Sequence, residues 1–502
     1  MKVVKPISHQ LNTATAQADF DLPEGWALAR IGDTLEVKYG KGLKKANRIS
    51  GSVPVYGSNG VVGQHNIGLT QGSTIVIGRK GTVGAVHFSN VPCWPIDTTY
   101  FIDEFNGLAP RYLVYALQRL NLPELDTSSA IPGLNRDKLY SQKIRLAPLS
   151  EQKRIVAKVE QLLARVNTLR ERLAKVPGIL KRFRQAVLAA ACSGRLTEDW
   201  RYKHPNLESA QQLIQRVFAR RREQYMTESQ KLKTGHRKSS NEPASLKARK
   251  VEGDELPEIP DKWAWVYLPD LGYMSRGKSR YRPRNAPHLY GGSYPFIQTG
   301  DIAQSRGQIS FHRQTYSEDG LAQSRIWPSG TVCITIAANI ASSAILTYPA
   351  CFPDSVVGLI PDADFCLAEY AEFFIRTAQA DLDQFAPATS QKNINIGILS
   401  KVALPLPPFA EQQEIIRRVE ALFKLASTIE KRVVAAAVRA ERLTQAILAK
   451  AFRGELVPTE AELARREGRP YESASALLGK IEGQRIGVNL HRDSRQKNDK
   501  QL

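Results

Sequence analysis

Two stretches of the chain carry an unbroken apolar seam. Ile155, Val159, Leu162, Val166, Leu169, Leu173, Val176, Leu180, Phe183 and Val187 recur at alternating spacings of four and three. This is the seven-residue repeat of helices that pack along their length. The same register 260 positions later gives Ile415, Val419, Leu422, Ala426, Ile429, Val433, Ala436, Ala440, Leu443 and Ile447. The second seam has Ala opposite Val166, Val176 and Leu180 of the first, so large side chains can meet small ones. Some forty helical residues make a rod of roughly 60 Å. Neither seam can stay exposed, and pairing the two within one chain buries both. Pro177-Gly178 predicts a kink or two stacked helices in the first rod. Gly194 and Gly454 sit where each rod should stop.

The rods are parts of a longer internal repeat. Residues 148–196 align without a gap on 408–456, with 17 of 49 positions identical, among them Pro148/Pro408, Glu151/Glu411, Gln152/Gln412 and Gly194/Gly454. Upstream, Pro23, Trp26, Asp33, Gly40 and Lys41 match Pro260, Trp263, Asp270, Gly277 and Lys278 at an offset of 237. Asn135 and Leu139 match Asn395 and Leu399, and Glu208-Ser209-Ala210 matches Glu472-Ser473-Ala474. Each half therefore reads as a globular domain, a long helical segment and a short helix. The differences between halves concentrate in the globular parts, as expected if the rods do one job twice and the domains do two different jobs.

The globular segments show short apolar runs cut by Gly, Pro and Asn: VPVYGSNGVVGQ, STIVIGRKGTVGAV, YPFIQTGDI and TVCITIAANIASSAIL. They predict short strands and tight turns, with helices over 111–120 and 368–380. The fold class is α+β, with two domains of small twisted β-sheets and helices joined by two long helical segments. The boundaries are an N-terminal extension at 1–21, domain 1 at 22–147 and rod 1 at 148–200. A short helix and flexible basic linker follow at 201–256. Domain 2 spans 257–407, rod 2 spans 408–456, and a tail with a short helix spans 457–502.

Charge narrows the partner. Lys plus Arg exceed Asp plus Glu by 21, with a pI near 9.7, which favours a polyanion. The basic and amide side chains fall in the turns: Lys38, Lys41, Lys44, Lys45, Arg48, Asn59, Arg79, Lys80 and Asn135 in domain 1. Domain 2 has Arg276, Lys278, Arg280, Arg282, Arg284, Gln298, Arg325, Asn339, Gln391, Lys392, Asn393 and Asn395. Lys and Arg at loop tips suit phosphates, while Arg, Asn and Gln suit base edges. The basic stretch 219–250 is a candidate for tracking phosphates or a plain tether.

Catalytic motifs are absent. Gly272 to Ser279 fits the spacing of a phosphate loop, but Arg280 to Pro287 will not open the helix that the motif needs. Leu406-Pro407-Pro408-Phe409 lacks the polar first residue of an amino-methyltransferase motif. Cys93, Cys192, Cys333, Cys351 and Cys366 form no CxxC pair, so neither zinc nor a disulfide framework is expected. The N-terminus has no secretory signal, and no apolar run is long enough to span a bilayer. The expected compartment is the cytoplasm.

PLSEQKRIVAKVEQLLARV, LKRFRQAVLAAACSGRLTEDWR, PPFAEQQEIIRRVEALF and LTQAILAKAFRGELVPTE, with LPEGW and SASALLGKIEGQR, resemble the repeated regions of type I restriction–modification specificity subunits. The resemblance implies that each globular domain is a target-recognition domain reading one half of a split double-stranded DNA sequence. It implies an antiparallel intramolecular coiled coil that fixes the spacing and docks two methylase subunits. Motor-nuclease subunits would join them. No cofactor is expected on this chain; S-adenosylmethionine, ATP and magnesium would sit on the partners. The rival readings are a stand-alone methyltransferase or nuclease, which the missing motifs disfavour, and a nonspecific architectural DNA protein, which two divergent domains disfavour.

Overall fold

The computed structural model describes residues 22–125, 133–232, 249–251, 256–281, 283–337, 339–379 and 394–484. Among these residues eighteen short strands alternate with helices. In domain 1 they are β1 (Ala27–Arg30), β2 (Lys38–Tyr39), β3 (Val53–Gly57), β4 (Gly60–His65), β5 (Thr74–Gly78), β6 (Val86–Ser89), β7 (Trp94–Pro95), β8 (Thr99–Ile102) and β9 (Lys143–Leu146). In domain 2 they are β10 (Ala264–Tyr267), β11 (Gly272–Arg276), β12 (Tyr290–Phe296), β13 (Gln308–Ile309), β14 (Gln314–Tyr316), β15 (Val332–Thr335), β16 (Ser343–Leu346), β17 (Val356–Pro361) and β18 (Ala403–Leu406). The helices that matter here are α1 (Pro110–Arg119), α2 (Arg136–Ser141), α3 (Leu149–Cys192), α4 (Ala210–Leu232), α5 (Ala368–Thr377), α6 (Ile396–Leu399), α7 (Phe409–Ala451) and α8 (Glu460–Glu467).

Two compact units result, and neither coincides with a half of the repeat. One comprises Met1–Ala174 and Val434–Leu502, the other Lys175–Val433. In the first unit the start of α3 lies beside the end of α7: Val166 and Ala440 share a core, and Arg170 pairs with Glu441 at 2.7 Å. In the second unit the end of α3 lies beside the start of α7: Val187 packs with Ile415 and Val419, and Arg184 pairs with Glu430 at 3.1 Å. The pairing is antiparallel in both.

Both domains use the same sheet order. Domain 1 has β2-β8-β5-β6 and domain 2 has β11-β17-β15-β16, with β13 added at the far edge. Each domain's first strand, β1 or β10, pairs antiparallel with its last, β9 or β18, and so closes the domain just before its rod. In each sheet the third strand is wholly buried, reading Thr-Ile-Val-Ile at 74–77 and Val-Cys-Ile-Thr at 332–335. Domain 1 adds a hairpin of β3 and β4 with β7 beside it, and domain 2 adds β12 with β14. In YPFIQTGDI only the first part is strand; Thr299–Gln304 is helical.

The residues that recur between halves meet in one knot per unit. Glu151 is fully buried and accepts the Trp26 indole N–H at 2.9 Å and the Glu460 amide at 2.8 Å. Glu411, also fully buried, accepts the Trp263 indole N–H at 2.9 Å, the Thr197 hydroxyl at 2.7 Å and the Arg201 guanidinium. Gln152 accepts the amide of Ala109, just before α1, at 3.0 Å and donates to the Ala147 carbonyl. Gln412 accepts the amide of Leu367, just before α5, at 2.9 Å. Gly454 and Gly194 have φ of +76° and +77°, and a Cβ there would run into Pro23 and Pro260 respectively. The Ala474 amide bonds the Gly25 carbonyl, and the Ala210 amide bonds that of Lys262, both at 2.8 Å. Burial pushes the Glu151 carboxyl above its ordinary range, against the pull of its two donors.

Three expectations need correction. The seam is not buried throughout: Ile155, Val159, Leu180, Ile415 and Val419 are covered, whereas Leu169 is 44%, Ile429 36% and Leu443 48% exposed. Near the ends a domain covers the helix pair as a third layer. Pro177 does not divide the rod, since α3 is helical throughout and contains it. Nor is the start of the basic stretch 219–250 a linker. Residues 210–232 form α4, which buries Leu213, Val217 and Phe218 in the core of the second unit. Its Arg220 pairs with Asp362 at 2.7 Å and its Arg221 donates to the Asp270 carbonyl at 2.8 Å. These two arginines are engaged within the unit, while residues 233–248 lie outside the described residues.

Two stability tests follow from this packing. Leu162→Asp and Leu422→Asp, half-buried against their cores, should each cost about 2–4 kcal/mol, since an unpaired charge enters the interior. Leu169→Asp, on the uncovered stretch, should cost less than about 1 kcal/mol. Chemical denaturation of all three checks the ranking; equal losses would mean that Leu169 is covered. Glu411→Ala should cost about 2–4 kcal/mol, because it strands the buried donors of Trp263 and Thr197, and a melting temperature equal to wild type would refute the knot.

Candidate nucleic-acid interface

The first strand of each sheet ends in a Gly-Lys turn. Gly40 donates its amide to the Thr99 carbonyl at 3.0 Å, and Gly277 donates to that of Val356 at 2.8 Å. A Cβ on Gly40 would collide with the Ile96 carbonyl and one on Gly277 with the Phe352 and Pro353 carbonyls. The close approach explains both glycines, and it holds Lys41 and Lys278 exposed immediately after the turn. Neither lysine has an ion-pair partner among the described residues.

The third strands, β5 and β15, run into equivalent turns. Gly84 donates to the Gly78 carbonyl and Ala341 to the Thr335 carbonyl, each at 2.8 Å. The residues just beyond the strands therefore correspond: Arg79 to Ile336 and Lys80 to Ala337. Beside them the Leu134 amide bonds the Arg79 carbonyl at 2.8 Å, and the Ile394 amide bonds the Ile336 carbonyl at 3.0 Å. One surface on each domain thus gathers the Gly-Lys turn, the exit of the third strand and the segment leading into α2 or α6.

In domain 1 this surface carries Tyr39, Arg79, Lys80 and Arg136. The Arg79 guanidinium donates to the Asp97 carbonyl through Nε (3.2 Å) and Nη2 (2.6 Å). It also lies 5.5 Å from the centre of the half-exposed Tyr39 ring, and Arg136 lies 4.9 Å from the same ring. Burial pushes the Tyr100 phenol up to about 12 despite these two cations, so it stays a neutral donor to the Leu134 carbonyl at 2.9 Å. In domain 2 the corresponding surface is a cavity of about 390 Å³ lined by Arg276, Arg284, Ile336, Asp354, Ile394 and Asn395 among others. Arg276 donates Nε to the Asp354 carbonyl at 2.9 Å, and Arg284 pairs with the Asp354 carboxylate at 2.8 Å.

The remaining candidates divide. Lys44, Lys45, Asn59, Lys80 and Arg280 are exposed; Asn59 occupies the turn between β3 and β4. Arg282, Gln391, Lys392 and Asn393 lie outside the described residues. Asn135 and Asn395 have a structural duty that explains their recurrence. Each caps a helix, Asn135 accepting from the amides of Asp137 and Lys138 and Asn395 from that of Ile398. Asn339 has φ of +52° and shapes the turn between β15 and β16, a conformation asparagine tolerates. The Gln298 amide donates to the Gln314 side chain at 2.7 Å. Lys38 is held by Asp103 and Glu104, which keep its ammonium at about 12 although burial pulls it down. Sequence reasoning missed Tyr39 and Arg136. Arg136 directly follows the repeated Asn135, and that adjacency was the available signal.

Among the described residues no group of three or more His, Cys, Asp or Glu side chains could hold a metal ion. All five cysteines are buried and unpaired. No described helix is long and apolar enough to cross a membrane.

The model of the type I restriction modification DNA specificity domain matches residues 23–177 and again 260–436. The chain is 29% identical over 495 residues to the type I restriction enzyme EcoDI specificity subunit of Escherichia coli, covering 95% of this chain and 99% of that one. It is 30% identical over 404 residues to the EcoKI specificity subunit of Escherichia coli strain K12, covering 78% and 75%. A chain from a structural study of type I R-M assembly and conformational transition shares the fold with TM-score 0.60 at 18% identity, over 87% of this chain and all of that one. So does the HsdS subunit from Thermoanaerobacter tengcongensis, with TM-score 0.51 at 18% identity, over 87% and 99%. Two matched segments, each a recognition domain running into its rod, place this chain in the family of type I restriction–modification specificity subunits, the non-catalytic components that confer DNA sequence recognition.

Proposed function

We propose that this chain reads a bipartite double-stranded DNA target, one half-site per globular domain, and directs adenine methylation and restriction by partner subunits. The observation that carries this reading is a shared frame with divergent lining. Both domains keep the Gly-Lys turn and the capped helix, whereas the places of Tyr39, Arg79 and Arg136 in domain 1 are taken by Arg276, Ile336 and Ile396 in domain 2. Phosphate contacts orient a protein on any sequence, and base contacts specify. Common lysines and unlike neighbours are the pattern expected of two readers of different half-sites.

The partners in this reading are two methylase subunits and motor-nuclease subunits, in the cytoplasm. S-adenosylmethionine, ATP and magnesium belong to those partners. Two copies of one rod sequence offer two similar docking surfaces for two identical methylases. Leu169 and Leu443 on the helix pair of the first unit, 44% and 48% exposed, support a helical partner at that stretch.

Two experiments test the reading. The purified chain alone should show no methyltransferase, nuclease or ATPase turnover, and turnover free of partners would refute it. Replacing residues 22–147 by the corresponding domain of a relative should change one half of the methylated sequence and leave the other half intact. Methylation mapping of the genome reads this directly, and a change in both half-sites together would overturn the assignment of one reader per half-site.

A further inference from the structure

Resting on that reading, we propose that one arginine in each domain, Arg79 in the first and Arg276 in the second, reads a guanine in its own half-site. The two do not correspond in sequence. Arg79 follows the third strand of its sheet, whereas Arg276 ends the first strand of the other. At the place of Arg79 domain 2 has Ile336, and at the place of Arg276 domain 1 has Tyr39. Yet both guanidiniums are fastened to the same feature. The carbonyls of Asp97 and Asp354 occupy equivalent positions, two residues before Thr99 and Val356, the acceptors of the Gly40 and Gly277 amides.

The fastening leaves a donor edge free. Arg276 uses Nε alone, so both terminal nitrogens have no hydrogen-bond partner among the described residues and the side chain is exposed. Arg79 uses Nε and Nη2 and is further held over Tyr39, leaving Nη1 and the second Nη2 hydrogen. A planar fork of N–H groups matches O6 and N7 of guanine in the major groove. Holding the other edge on a carbonyl removes much of the rotational freedom that binding would otherwise have to freeze. Lys41 and Lys278 stand nearby on the shared turn as unfastened cations, the form suited to phosphates of any sequence. The division is between cations that are common and loose and guanidiniums that are domain-specific and fixed.

Arg79→Ala and Arg276→Ala in the full chain, within cells whose adenine methylation is mapped, test this. Each should relax one G·C position by about ten- to a hundredfold, Arg79→Ala in one half-site and Arg276→Ala in the other. Arg276→Lys should relax the same position as Arg276→Ala, because it keeps the charge and loses the fork. Equal melting temperatures of the purified variants exclude loss of fold as the cause. If the motif stays unchanged while methylation falls uniformly and lysine restores it, the arginines contact phosphate and the proposal fails. If wild type directs split-site methylation and neither alanine variant alters the motif, the proposal fails and the two-reader assignment stands. If wild type directs no split-site methylation at all, both fail.

Discussion

The structure depends on two buried carboxylates, Glu151 and Glu411. Each begins a long helix, and each must find donors, because an unpaired carboxylate in a dry interior costs several kcal/mol. The donors come from two separate stretches of chain, the tryptophan that opens a globular domain and a segment just past the end of a rod. In the first unit the segment past the rod belongs to the second repeat, and in the second unit to the first. Satisfying the glutamate therefore obliges each half of the chain to complete its globular unit with the other half's rod end. Antiparallel pairing follows from this requirement, since the end of one rod must lie beside the start of the other.

This explains why the repeated positions recur. Pro23 and Pro260 cover glycines whose added Cβ would strike them. Trp26 and Trp263 supply the indole donors, and the Ser-Ala pairs at 209–210 and 473–474 start the helices that bond back to Gly25 and Lys262. The duplication and the two rods were legible from the spacing of identical residues. The exchange of rod ends between halves was not, because a heptad seam states that a stripe is buried without naming what buries it. The same ambiguity hid the exposed seam position at Leu169. Leu169 and Leu162 look alike in the pattern, yet Leu162 has a domain core against it.

Helix capping gives two of the chosen asparagines a structural duty. A repeated exposed asparagine in a basic domain suits an adenine edge and suits an N-cap equally well. Asn135 and Asn395 are caps, and the short helices they start were too brief to leave a periodic signal. Residues 219–232 misled. Their composition is that of a solvated tether, but Val217 and Phe218 just before them anchor a helix, and Arg220 and Arg221 meet acids and carbonyls of domain 2. Charge density in the sequence does not separate engaged arginines from free ones.

The recognition surfaces were the least legible part, for a geometric reason. The offset between halves is 237 at the Gly-Lys turn and 260 at the capped helix, so domain 2 carries extra chain between them, in the region that holds β12, β14 and β13. Alignment by sequence therefore fails inside the domains, and correspondence can be drawn only through hydrogen bonds that both sheets keep. Drawn that way, it shows that a functional group can hold its place while its residue changes strands. The Asp97 and Asp354 carbonyls are part of the backbone and persist whatever side chains surround them. An arginine on either neighbouring strand can reach such an acceptor, so one frame admits several solutions for where a guanidinium comes from and what flanks it. A fold that must support many half-site sequences gains variety in this way without altering the turns and knots that hold it together.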